Sequence, residues 1–217
     1  MTDLLTRLSH IQKLEKELTS KAAPIVQPGT AMYFVDLFAF GAANRTLAQS
    51  RGFRSMIESK NFPSAAILLR TQIDTLMRVN GLRYLDTPEA QLSEVFEGKK
   101  TFRELVSWQK TENGKAIRMQ DKFLRERLQE DVTWIGSIYE ETSDFVHLSF
   151  RHLFSSIQST DDQEGIVNFA ITGEDNAKDG SAYHEICDAF FQVSKLTCTN
   201  ILGLLIARHA PDSFRDG

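Results

Sequence analysis

Apolar residues recur at helical spacing along most of this chain. Leu4, Leu8, Ile11, Leu14 and Leu18 fall one turn apart and predict an amphipathic helix over 3–20, within an N-terminal segment 1–20 whose outer face is charged. Pro24 and Pro28-Gly29 end it. A second helix is expected over 31–58, buried on most sides at its start, where Tyr33, Phe34, Leu37, Phe38 and Phe40 surround the chain. Asn61-Phe62-Pro63 is a start signal, because Asn caps a first turn in which proline's missing N–H costs nothing. The third helix then runs to about residue 85. Ala66, Leu69, Ile73, Met77, Asn80 and Tyr84 form its stripe, and Arg70 falls about 40° from the stripe's centre. Pro88 opens a short fourth helix ending near Gly98, and 101–110 is read as a fifth, separated from the next periodic stretch by Glu112-Asn113-Gly114.

The longest periodic stretch, 115–154, reads as the central helix, with one possible break at Asp131 or Gly136. After it, 153–159 and 166–172 are rich in β-formers and flank the polar run Thr160-Asp161-Asp162-Gln163-Glu164-Gly165, the pattern of a β-hairpin. A last helix is expected over 182–209, with Ile186, Phe190, Val193, Thr197, Ile201 and Leu205 inside and Pro211 as its stop. The predicted fold is therefore all-α: a single domain, 1–217, made of a bundle of about six helices with one small β-hairpin insertion, 153–173, before the C-terminal helix.

Composition changes this picture little, and charge changes it more. With 217 residues, 12 Gly and 5 Pro, the chain can bury a core without disulfide or metal support. The net charge of −4 is unevenly spread. Residues 99–127 carry nine basic against four acidic side chains, whereas residues 128–192 carry two against thirteen. Such a distribution argues against broad nonspecific nucleic-acid binding while leaving a local basic face. Met1-Thr2-Asp3 lacks the basic region of an export signal, and the apolar run 31–43 contains Asp36 and is short for a bilayer span, so a soluble cytoplasmic protein without membrane contact is expected. Cys187 and Cys198, eleven residues apart on one helix, would sit about 16 Å apart and cannot bond to each other.

The familiar chemical signatures are missing. There is no Gly-x4-Gly-Lys loop, dinucleotide glycine fingerprint, His-Glu-x2-His pair or Cys-x2-Cys, and neither a cofactor nor a metal is expected. Two polar constellations remain at the margins of apolar stripes. In the first, Arg70 with Asp74, an arginine close to a buried face needs a carboxylate or other acceptors. The pair reads either as an internal salt bridge or as an anchor for a phosphate or carboxylate ligand, with Asp74 orienting the guanidinium. The second is Ser143, His147 and Arg151, spaced four apart along one helix edge, where His147 could act as a general base or acid or simply be a structural histidine. Arg118, Lys122 and Arg125 share that azimuth if the helix is unbroken, but residues 125 and 143 would then be about 27 Å apart, able to guide a polymer but not to form one pocket.

The apolar-Leu-Arg-x3-acidic segment around Arg70, followed far downstream by Tyr139-x3-Ser143-x3-His147, resembles the HEPN superfamily and abortive-infection-type bacterial proteins over about residues 60–154. The resemblance implies a helical bundle, often a homodimer, with some members acting as metal-independent ribonucleases in toxin or phage-defence systems. Those nucleases carry Arg-x4–6-His on one helix, and no arginine here lies five to seven positions before His10, His147, His152, His184 or His209. Two functions are therefore expected. One is a homodimeric module, in a defence or toxin setting, that binds a partner or an anionic ligand such as RNA or a nucleotide through Arg70, Asp74 and Ser143. The other is a ribonuclease in which His147 moves a proton and Arg70 or Arg151 stabilises developing phosphorane charge.

Overall fold

The computed structural model describes residues 2–26, 29–171 and 180–210. In chain order the elements are α1 (Thr2–Ala22), α2 (Phe34–Glu58), α3 (Phe62–Gly81), α4 (Pro88–Phe96), β1 (Val106–Lys110), β2 (Ala116–Arg118), α5 (Asp121–Asp131), α6 (Ile135–Val146), α7 (Phe150–Ser155), β3 (Ile157–Asp161), β4 (Ile166–Phe169) and α8 (Gly180–His209). The protein is an all-α bundle with two small antiparallel strand pairs, and the expected hairpin, β3–β4, stands directly before the C-terminal helix.

α3 lies at the centre, packed against α2, α5, α6 and α8. Asn61 starts it as its type predicts, its side chain accepting a bond from the Ser64 N–H at 3.1 Å. Leu69, Ile73, Leu76 and Met77 are wholly enclosed, and Phe53 of α2 stacks on Phe190 of α8 with ring centroids 4.0 Å apart. α8 is long and apolar enough by length and composition to cross a membrane. In the bundle it packs against α1, α2 and α3, with Phe190, Val193, Ile201 and Leu205 fully buried.

Two expectations need correction. Residues 101–110 are not a helix but a short 3-10 turn, Phe102–Glu104, followed by β1, which pairs with β2. The Asn113-Gly114 turn decides the matter: Gly114 takes a left-handed φ of 71°, and the Thr111 N–H donates to the Lys115 carbonyl, closing a hairpin that the β-branched and aromatic residues of β1 extend. The stretch 115–154 breaks at Asp131, where α5 ends and one of the two expected break points lies, but the rest is not the one central helix expected. It becomes β2, α5, α6 and α7, with turns at Val132–Trp134 and again from His147, where the backbone is extended at φ −110° and ψ 149°. The first of those turns folds α6 back along α5. Gly81 at the end of α3 lets α5 close in, since a Cβ there would meet the Leu124 side chain at 2.6 Å.

Truncating the centre of this core should be costly. Phe190→Ala is expected to lower the free energy of unfolding by about 4 kcal/mol, because it leaves a void beside Phe53 that neighbouring helices cannot fill. Urea denaturation followed by circular dichroism measures the change.

Candidate functional site

The residues that carry chemistry meet where α3, α5 and α6 converge. Arg70 leaves the inner stripe of α3 half-buried, as its azimuth predicts, and it faces α6. Its Nε donates to Ser143 Oγ at 3.2 Å, and Ser143 in turn donates to the Tyr139 carbonyl one turn back, at 2.6 Å. The guanidinium lies over the Tyr139 ring, with Cζ 3.7 Å from the centroid. Arg125, reaching across from α5, places its own Cζ 5.2 Å from the same ring. Two guanidinium groups therefore share one phenol ring. Glu140, exposed on α6, offsets part of that charge through a 3.2 Å contact with Arg125, while Arg125 Nε is buried without a hydrogen-bond partner.

Arg70 itself has no carboxylate partner among the described residues. Ser143 and Tyr139 hold its Nε edge and its face, so the terminal nitrogens are left with the fork geometry that binds a phosphate or carboxylate through two parallel bonds. This is the feature that makes the cluster a candidate site. The adjoining cleft of about 190 Å³, between α3, α6 and α8, is lined by Leu69, Phe145 and Ile186 and carries Glu141 and Glu185, so its chemistry does not suit an anion.

The other expected site residues are placed differently. Asp74 does not orient Arg70. It pairs with Arg78, whose other nitrogen is 3.2 Å from Asp121, and Asp121 also holds Arg103 at 2.8 Å. His147 is exposed at the end of α6 and makes no hydrogen bond or ion pair among the described residues. Ser143 and Arg151 do not continue one helical line, because the chain turns between them; Arg151 lies on α7, and its side chain lies outside the described residues. Arg118 is on β2, so the supposed straight basic stripe is broken as well. Arg125 and Tyr139, by contrast, were not expected to meet and do, because α6 folds back along α5.

Among the described residues no group of three or more His, Cys, Asp or Glu side chains is placed to hold a metal ion. Both cysteines are buried, and burial pushes their thiols up to about 12, which leaves no thiolate for nucleophilic chemistry near neutrality.

A second polar cluster went unrecognised in the sequence because its members are 172 positions apart. Asp36, fully buried in the first turn of α2, accepts from the Tyr33 N–H at 2.9 Å and from Arg208 Nε of α8 at 2.8 Å, and His209 Nε2 lies 3.0 Å from it. Arg208 also bonds Glu89 of α4 at 2.7 Å, and Glu89 accepts from the Phe34 N–H at 2.8 Å. This closed network is a clamp between the ends of α2, α4 and α8. Burial works to raise the Asp36 pKa, but the Tyr33 N–H, His209 and Arg208 outweigh it and hold the carboxyl below its ordinary value of 3.8. A carboxyl with a depressed folded-state pKa adds stability above its unfolded value, and that stability is lost as pH falls through the folded one. Asp36→Asn is thus expected to destabilise the fold by about 2 kcal/mol at neutral pH. The gap to the parent should close below about pH 4, which denaturation curves across pH would show.

Searches of protein-family models, curated proteins and solved structures find no match to this chain.

Proposed function

We propose that this chain is a HEPN-like helical module that binds a phosphate-bearing ligand on the Arg70 guanidinium, in a bacterial defence or toxin setting. The observation that carries the reading is an arginine held on two sides by Ser143 and Tyr139 yet lacking any carboxylate partner among the described residues. A half-buried guanidinium normally acquires a counter-ion from its own chain, and one that is oriented but unpaired suits an external anion. The two segments on which the resemblance rests, around Arg70 and Tyr139-x3-Ser143, meet in space although 73 positions separate Arg70 from Ser143, which supports reading them as one unit.

Arg125 adds a second positive group without direct coordination, raising local anion affinity. Tyr139 has both guanidinium groups against its ring, so it does not serve as a platform for base stacking, and recognition falls on the phosphate. The buried free thiols fit a reducing, cytoplasmic compartment.

Binding can be tested with ADP by calorimetry and with a short labelled single-stranded RNA by fluorescence anisotropy, in the presence of chelator. Arg70→Ala should weaken binding at least tenfold, while Arg70→Lys, which keeps the charge but not the fork, should recover only part of the loss. Equal affinity for the parent and Arg70→Ala would refute the reading. His147→Ala should bind as the parent does. Should the parent instead cleave the RNA under these conditions, and His147→Ala abolish that cleavage, the ribonuclease reading would replace it.

A further inference from the structure

Gly41 lies in the interior of α2, where packing does not require a glycine. A Cβ there would meet nothing within 4 Å, and glycine inside a helix is less stable than alanine. What the missing side chain leaves is room. Gly41 lines a cleft of about 380 Å³ between α2, α3 and the last residue of α4, a volume in the range of small-molecule sites. Leu37, Phe38 and Ala42 of α2, Val79 of α3 and Phe96 of α4 form its apolar walls. Leu37 is 42% exposed and Phe96 50%, so the cleft presents large apolar side chains without full cover. Packing behind these walls fixes their shape. The Phe96 ring rests against Phe34 with centroids 5.6 Å apart, and Phe38 stacks on Phe102 at 5.4 Å.

The polar end of the cleft is Arg45, one helical turn after Gly41. Its Nε donates to Thr75 Oγ1 at 3.0 Å, and Thr75 in turn donates to the Thr71 carbonyl at 3.0 Å. The guanidinium is thus oriented along one edge, and it has no carboxylate partner among the described residues. Arg78, which lines the same cleft, is already engaged by Asp74 and Asp121.

We infer that this cleft binds a small aryl-alkyl monocarboxylate, with the carboxylate on Arg45 and the apolar body laid over Gly41 against Phe96 and Leu37. Charge selects the class. One free guanidinium matches one carboxylate through two parallel bonds. Asp74 also lines the cleft, so a phosphate dianion meets more repulsion there than a single negative charge does. An uncharged ligand of the same shape would cover Arg45 without pairing it, which is costly. The site shares no residue with the Arg70 cluster and does not rest on the function proposed for it.

Hydrocinnamate is a suitable probe, with methyl hydrocinnamate as its uncharged counterpart and phenylpropyl phosphate as the dianion, each titrated by ligand-observed NMR and calorimetry. The acid should bind at least tenfold more tightly than either analogue. Arg45→Ala, at an exposed side chain, should weaken the acid at least tenfold and bring it level with the ester. Gly41→Leu should abolish binding by filling the cleft, while raising the thermal midpoint by about 2 °C because a glycine leaves the helix. That gain separates a blocked site from a damaged fold. Arg70→Ala should bind the acid as the parent does. The proposal is overturned if hydrocinnamate shows no saturable binding below millimolar concentration, or if Arg45→Ala or Gly41→Leu binds it unchanged. It is equally overturned if the ester or the phosphate binds as tightly as the acid, or if Arg70→Ala removes binding.

Discussion

α3 is packed against four other helices, so the polar side chains it buries look largely to those neighbours for partners. Gln72 shows the constraint most directly. Fully enclosed, it donates to Thr46 of α2 at 3.1 Å and to Thr197 of α8 at 3.2 Å. Thr71 accepts from Gln49, and Thr75 accepts from Arg45, both at 3.0 Å. An amide with two hydroxyl partners on different helices admits one register among them, where apolar packing alone would tolerate sliding. Arg70 is a half-buried polar member of this helix. It meets the same requirement through Ser143 and the Tyr139 ring, but these neutral partners leave its charge uncompensated, and the proposed site is that remainder.

The elements legible in the sequence are those whose burial is one-sided or complete. α1, α2, α3 and α8 display the helical period because each turns a continuous stripe to the core, and Asn61 marks its boundary through a bond confined to four residues. The β1–β2 pair and the breaks within 115–154 are set by local turn chemistry instead. α5 ends at Asp131, one of the two break points marked in the sequence, but Val132–Trp134 continues an apolar period across the bend, so periodicity does not report that α6 folds back. The consequence reached the site: a straight helix places residues 125 and 143 far apart, whereas the fold-back sets Arg125 against Tyr139, four residues before Ser143.

Asp74 illustrates a different limit. It has an arginine one turn on either side, Arg70 before and Arg78 after, and spacing treats them alike. The helix does not. An acid N-terminal to its base at i,i+4 has the better side-chain approach and the better alignment with the helix dipole, and Asp74 pairs with Arg78. Asp121 of α5 then reinforces the choice by contacting Arg78. Arg70 is left without its nearest carboxylate by ordinary helix electrostatics, and no special device is needed to keep it open.

The surroundings of that open guanidinium limit what it can take. Glu140, Glu141 and Asp144 all project from the same helix as Ser143. A polyanion lying along α6 would gain Arg70 and Arg125 but meet three carboxylates carried within five residues of that helix. A single terminal phosphate avoids that repulsion and still engages the fork. If Arg70 takes the phosphate-bearing ligand proposed for it, the acidic excess of 128–192 favours a compact phosphate group presented end-on over a strand tracked along the helix.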